Sequence, residues 1–271
     1  MIAQGGVSLL DALQFDPTQE TNRIVEWISR QMSDAGFGRA VLGVSGGLDS
    51  ALVAALCARA LGPDNVHGMI LPHETSNPQS MAHGRRLIEQ LGIESSLFDI
   101  TPMVEALVAR DPDMSSVRKG NIMSRCRMMT LFDQSAAWEA LVIGTGNRTE
   151  MLLGYFTLYG DSAAAFRPIA HLYKYQVRAL AAYLGLPDEI LHKAPSADLW
   201  EGQTDEGDLG FSYDEADQIL YLLTEAGLRE QQAAEQGFAL ETVQAVRRRM
   251  ERNAFKLAEP PCMPTIAQAA G

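Results

Sequence analysis

Residues 41–50, V-L-G-V-S-G-G-L-D-S, leave this chain few folds to choose from. A short apolar run closed by glycine reads as a buried strand of a parallel sheet. Residues 51–61, rich in alanine and leucine, read as a helix. The glycines therefore sit on a strand-to-helix turn, where backbone N–H groups and a helix N-terminus converge on an anion. Gly46 and Gly47 let the backbone approach a phosphate closely. Ser45 and Ser50 add hydroxyl donors. Asp49, expected to be exposed on this turn, would repel a phosphate unless a cation such as Mg²⁺ lay between them. An ordinary tight turn would account for Gly-Gly alone, but two serines, two glycines and an aspartate in this order are far more specific. The lysine and spacing of a Walker P-loop are missing, as is the glycine spacing of a dinucleotide fingerprint.

The rest of the chain repeats the strand–helix alternation. Residues 17–35 read as an amphipathic helix, with Ile24, Ile28 and Met32 at helical spacing, Val25 and Trp27 widening the stripe, and Gly36 stopping it. Residues 66–71 form a second apolar strand, and Asn77-Pro78 opens a helix running to about Leu91. Residues 95–100 and 140–143 are the third and fourth strands, and residues 175–184 are a further helix. This spacing predicts an α/β fold built of βαβ units: a parallel sheet with helices on both faces. Ligands of such sheets bind beyond the carboxyl ends of the strands, where His73 to Ser76 would face a nucleoside.

With 271 residues, 46% of them hydrophobic, the chain can bury a sizeable core, and a single domain over residues 1–271 is expected. Lys plus Arg is 22 against 34 Asp plus Glu, a formal net charge of −12 that argues against general nucleic-acid or anionic-membrane binding. No apolar stretch is long enough to span a bilayer, and the first residues do not read as a signal peptide. Cys57, Cys126 and Cys262 form no C-x-x-C and read as free thiols, which favours the cytoplasm.

Residues 114–132 contain no acid and carry Arg118, Lys119, Arg125 and Arg127. Ile122, Cys126, Met129 and Phe132 mark the expected buried face of a helix there. Its basic residues form either a solvated face or a positive edge for phosphates. After the fourth strand, Asn147 with Glu150 matches a capping box. Glu150 is thus either a helix cap or a second metal carboxylate at the same sheet edge as Asp49. Residues 193–212 are polar and glycine-rich, as expected of a lid, and residues 213–253 read as a helical tail whose Arg247, Arg248, Arg249 and Arg252 suggest a solvated face.

The loop at residues 45–50 resembles the S-G-G-x-D-S pyrophosphate loop of the enzymes that cleave ATP to AMP and pyrophosphate. Further motifs narrow the resemblance: Lys119-Gly120-Asn121, Arg125-x-Arg127-Met128, Gly144-Thr145, Glu150, Gly154-Tyr155-Phe156-Thr157, Tyr159-Gly160-Asp161, Pro168-Ile169 and Pro195-Ser196-Ala197-Asp198-Leu199. They stand in the order seen in NAD synthetases, and the similarity spans roughly residues 20–260. The resemblance implies a flavodoxin-like or adenine-nucleotide hydrolase-like fold and a homodimer. It implies ATP phosphates on Gly43, Val44, Ser45, Gly46, Gly47, Leu48, Asp49 and Ser50, with Thr145, Lys174 and Ser196 also on ATP. Mg²⁺ would be held by Asp49 and Glu150, the dinucleotide by Arg125, Asp161 and Lys256, and catalysis would rest on Asp49 and Lys174. The implied reaction is adenylation of deamido-NAD by ATP, then displacement of AMP by ammonia. No glutaminase domain is expected. Leu158, Ala165 and the Phe255-Lys256-Leu257 segment depart from the commonest pattern. Another ATP pyrophosphatase, such as a GMP synthetase or a tRNA-thiolating enzyme, and a nucleotide-binding regulator remain as alternatives.

Overall fold

Consecutive apolar strands separated by helices pair most directly in parallel, and the chain does so here. The computed structural model describes residues 12–200 and 202–263. Strands β1 (Arg39–Gly43), β2 (Val66–Ile70), β3 (Glu94–Leu97) and β4 (Ala140–Val142) form one parallel sheet in the order β3-β2-β1-β4. A parallel bridge between Ile143 and Phe166 prolongs its β4 edge. The chain runs from β1 outward to β2 and β3, then returns to lay β4 on the other side of β1. The loops after β1 and β4 therefore diverge in opposite directions and leave a crevice at their carboxyl ends.

Alternation along β1 supplies both faces of the sheet. Ala40, Leu42 and Val44 pack with α1 (Pro17–Asp34), α2 (Leu48–Leu61), α3 (Pro78–Leu91) and α7 (Lys174–Tyr183). Val41 packs on the other face with Ile100, with Val104 of α4 (Thr101–Val108) and with Met123 and Cys126 of α5 (Ser116–Ala137). Residues 50–57 of α2 are buried without interruption. Such a helix needs no polar stripe, because the sheet, α1, α3 and α7 enclose it. A third apolar cluster joins α6 (Arg148–Leu153) to α10 (Tyr213–Thr224), α11 (Glu230–Ala234) and α12 (Leu240–Asn253). Gly227 and Gly237, both at positive φ, lie between the three helices of this tail.

The fold is the one expected, with local differences. Ile24, Ile28 and Met32 are buried as their spacing requires, and Asn77 caps α3 by accepting from the Gln79 N–H at 2.9 Å. The third strand is shorter than expected: pairing becomes irregular after Leu97, and Ile100 hands over to α4, which the sequence reading missed. On α5 the buried residues are Gly120, Met123, Ser124, Cys126 and Thr130, whereas Met129 and Phe132 are 47% and 42% exposed. The expected stripe was rotated because the helix is apolar on more than one side. Residues 202–212 are not a bare polar loop. They contain α9 (Asp205–Leu209), next in chain order after the short α8 (Asp188–Leu191), and bury Gln203 and Asp205.

Candidate active site

The turn after β1 is shaped by contacts that only glycine permits. Gly46 adopts φ +73°, and a Cβ there would lie 1.9 Å from the Ser80 carbonyl oxygen. The Ser50 hydroxyl accepts from the Ser45 N–H at 3.2 Å and donates to the Gly47 carbonyl at 3.0 Å. Gly47 precedes α2 and offers no side-chain cap, so the first-turn N–H groups of a long helix stay available for an anion. Gly43, Val44, Ser45, Gly47, Leu48, Asp49 and Ser50 line a cavity of about 690 Å³; Gly46 is pinned behind it against α3.

The cavity floor is a cluster of charges brought in by separate elements. Asp49, on the first turn of α2, meets the Lys174 ammonium from the start of α7. The same ammonium lies 3.3 Å from Glu150 Oε1 on α6. Asn147, fully buried, donates from Nδ2 to Asp49 Oδ1 at 2.8 Å and accepts from the Glu150 N–H at 3.0 Å. Glu150 closes the capping box with Oε2 on the Asn147 N–H at 3.3 Å, while its other oxygen faces Lys174. The cap reading of Glu150 is thus seen in the structure, with the second oxygen turned to Lys174. Burial first, and then the Asp49 charge, pushes the Glu150 carboxyl up to about 8. Burial disfavours the Lys174 ammonium, but Asp49 and Glu150 outweigh it and raise its pKa above the usual lysine value. Asp205, buried and accepting from the Tyr155 and Tyr213 hydroxyls at 3.1 and 3.0 Å, adds a third carboxyl nearby, raised mainly by burial.

Behind this cluster lies Asp217, which the sequence reading did not single out. Fully buried on α10, it accepts from the Thr149 hydroxyl at 2.5 Å and from the Tyr175 N–H at 2.7 Å. Thr149 in turn accepts from the Lys174 N–H at 3.0 Å. One carboxyl, which burial pushes up to about 6, thus ties together the helix starts that carry Glu150 and Lys174.

The other expected residues are divided. Thr145, Ser196, Asp161 and Lys256 line the same cavity. Asp161 is fixed by the Thr157 N–H and the Ser124 hydroxyl, at 2.9 and 2.8 Å. Ser196 donates to the Gln203 carbonyl at 2.7 Å. Lys256 reaches the Gly154 and Phe156 carbonyls at 2.8 and 3.0 Å and lies 5.2 Å from the Phe156 ring centroid. Arg125 is not brought to the cavity of its own chain: it is exposed on α5 and donates to the Leu158 carbonyl at 3.3 Å. Neither Leu158 nor Ala165 lines the cavity. Arg127 does line it, donating to the Leu71 carbonyl at 2.9 Å.

Arg249, expected on a solvated face, instead turns into the cavity with its guanidinium 5.4 Å from the Tyr155 ring. His73 does the reverse. Its Nδ1 accepts from the Thr75 N–H at 3.2 Å, so the neutral ring carries its proton on Nε2, 3.3 Å from Glu105. Burial and then Lys119 lower its pKa. Both ring nitrogens are engaged by Thr75 and Glu105, so that of His73 to Ser76 it is Ser76 that lines the cavity.

An open parallel sheet with an anion-binding turn at its switch point and paired carboxylates beside it has the build of a phosphate-binding α/β protein. The family model described as NAD synthase matches residues 20–260, and the chain belongs to that family. A curated NH(3)-dependent NAD(+) synthetase from Trichlorobacter lovleyi is 46% identical over 248 residues, covering 92% of this chain and 89% of the relative. Among solved structures, an NMN synthetase from Francisella tularensis matches with a TM-score of 0.83 and 34% identity, over 93% of this chain and all of the other. An NH3-dependent NAD synthetase from Campylobacter jejuni matches with a TM-score of 0.79 and 33% identity, over the same shares.

Proposed function

We propose that this chain, as a single domain, catalyses the ATP-dependent amidation of deamido-NAD to NAD with ammonia, through an adenylate, releasing AMP and pyrophosphate. The observation that carries this reading is the convergence of Asp49 and Glu150, from the turns after adjacent strands, beneath one phosphate-binding turn. The family membership and the curated relatives named for this reaction support it.

A carboxylate is a poor acyl donor because its oxygen leaves badly, and adenylation supplies a better leaving group. The work left to the protein is positioning and charge stabilisation. The uncapped first-turn N–H groups of α2 are available to the phosphates. Asp161 and Lys256, which line the same cavity, are the candidates for holding the dinucleotide, with Arg125 outside that cavity as the third. Asp49, Glu150 and Asp205 outnumber Lys174, and Glu150 is raised by burial and then by Asp49 beside it; that donor set suits a hard divalent cation with oxygen ligands. Mg²⁺ held by Asp49 and Glu150 would neutralise charge on the departing pyrophosphate. Lys174, gripped by both carboxylates, lowers the repulsion they offer an incoming nucleotide.

The assay is NAD formation by the purified chain with ammonium or glutamine as sole nitrogen donor. Turnover with ammonium alone is expected. Equal turnover with glutamine, after contaminating glutaminase is excluded, would overturn the nitrogen source. The likeness to an NMN synthetase favours a second reading, in which the acid is nicotinate mononucleotide. Running both acids in the same assay decides between them by kcat/KM.

The same reading makes the protein a cytoplasmic homodimer. The described cysteines are all unpaired, as suits a reducing compartment. No helix among the described residues is long and apolar enough to cross a membrane. Val117, Met129 and Phe132 on α5 leave an apolar face exposed among the described residues. A stable dimer would bury roughly 2,000 Å². Light scattering at micromolar concentration should give twice the 29.5 kDa chain mass, and a monomer there would refute the dimer.

A further inference from the structure

Six cationic side chains line the cavity: Arg127, Lys174, Arg178, Lys193, Arg249 and Lys256. Two are committed, Lys174 to Asp49 and Glu150, and Arg178 to Asp214 at 2.7 Å. Among the described residues, no carboxylate lies within salt-bridge distance of the other four. Of those four, Lys193 alone touches the phosphate-binding turn. Its ammonium donates to the Ser80 hydroxyl at 2.8 Å and lies 3.5 Å from the Gly46 carbonyl. Ser80 belongs to the first turn of α3, the turn against which Gly46 is pinned. Five residues on, the Asp198 carboxylate accepts from the Asn77 N–H at 3.1 and 3.2 Å, at the cap of the same helix. Residues 193–198 are thus clasped across α3 beside the turn, with a half-buried ammonium at one end held only by neutral oxygens. Burial depresses the pKa of Lys193, which marks a cation lacking a full counter-charge.

We propose that Lys193 is a catalytic residue that binds the β- and γ-phosphoryl oxygens of ATP and stabilises the pyrophosphate as it leaves. The proposal rests on the reading that ATP occupies this cavity. In the step it serves, an acceptor carboxylate oxygen forms a bond to the α-phosphorus. The bond from that phosphorus to the bridging oxygen breaks, and its electron pair stays on pyrophosphate. Lys193 stays protonated throughout. Negative charge grows on the pyrophosphate oxygens as that bond lengthens, next to three protein carboxyl groups balanced by one lysine. A charge-assisted donor at the rim of the turn is therefore worth more in the transition state than in the bound ground state. The same contact would draw residues 193–198 down over the nucleotide.

The test compares wild type with Lys193→Met and Lys193→Arg, all as full chains. Calorimetry with pyrophosphate, α,β-methylene-ATP and AMP gives affinities that need no turnover, and single-turnover pyrophosphate release gives the adenylation rate. Lys193→Met is expected to weaken pyrophosphate and the ATP analogue about tenfold or more, with AMP within about twofold. Its adenylation rate should fall about a hundredfold, and Lys193→Arg should recover part of both losses. Unchanged pyrophosphate affinity would overturn the proposal. Equal weakening of AMP and pyrophosphate would also overturn it, since that is the mark of a strut whose loss loosens the turn. Because the binding measurements omit the acid acceptor, a wild-type chain that bound nucleotide without making NAD would sink the proposed reaction and leave Lys193 standing.

Discussion

Asp49→Asn is expected to leave pyrophosphate release slower by about a thousandfold or more, the scale of losing several kcal/mol of metal-based charge stabilisation. The fold should weaken as well. The sequence suggests an exposed turn residue with little influence on stability, but the Asp49 side chain is only 18% exposed and is shared between Asn147 and Lys174. An asparagine can keep its oxygen toward Asn147 only by turning its own NH₂ group onto the Lys174 ammonium. Glu150 offsets part of that loss, because burial still raises its pKa but the smaller contribution from Asp49 repulsion disappears with the Asp49 charge. The net cost should be about 1–3 kcal/mol, the usual penalty of a broken buried polar contact. Turnover near wild type at ordinary Mg²⁺ would remove Asp49 from the chemistry, and an unchanged melting temperature would remove it from the cluster.

Lys174→Met carries the larger stability effect. The lysine is 3% exposed and is the cation of the floor, so its loss leaves Asp49 and Glu150 facing each other with Asp205 nearby. Removing one partner of a buried ion pair costs about 3–5 kcal/mol. In a chain of this size that lowers the melting temperature by on the order of 10 °C. The loss should be partly reversed by millimolar Mg²⁺, because an ion that binds only the folded cluster stabilises it by mass action. The same addition should move wild type less, since Lys174 already offsets part of the carboxylates' charge. A melting temperature within a degree or two of wild type, with or without Mg²⁺, would mean that the cluster holds no buried charge in need of compensation.

Features set by near neighbours in sequence could be read directly. The glycine-serine turn, the Asn147–Glu150 capping box and the stripe of Ile24, Ile28 and Met32 each involve residues within about three helical turns of one another, and each appears in the fold as read. Where a helix is apolar on several sides, periodicity could not choose the inner one, and α5 was rotated, with Met129 and Phe132 outside and Met123 inside. Arg249 looked like part of a solvated run because three of its neighbours are also arginine, yet the packing of α12 against α6 turns it toward Tyr155. Lys193 lay two residues before a motif already recognised, and its contact with Ser80 is 113 residues distant.

By itself the sequence determined the strand order's raw material, the anion-binding turn, and the placement of Asp49 and Glu150 just past the ends of β1 and β4. Those follow from hydrophobic alternation, glycine chemistry and helix capping, which act over a few residues. Only the tertiary structure decided that the two carboxylates share Lys174, that Asn147 fixes both, that Asp217 holds the helix starts behind them, and that Arg125 stays outside. These contacts span 98 residues from Asn147 to Asp49 and 125 from Lys174 to Asp49. Their charges are set by burial, which depends on how whole helices pack and which no local pattern of residues encodes.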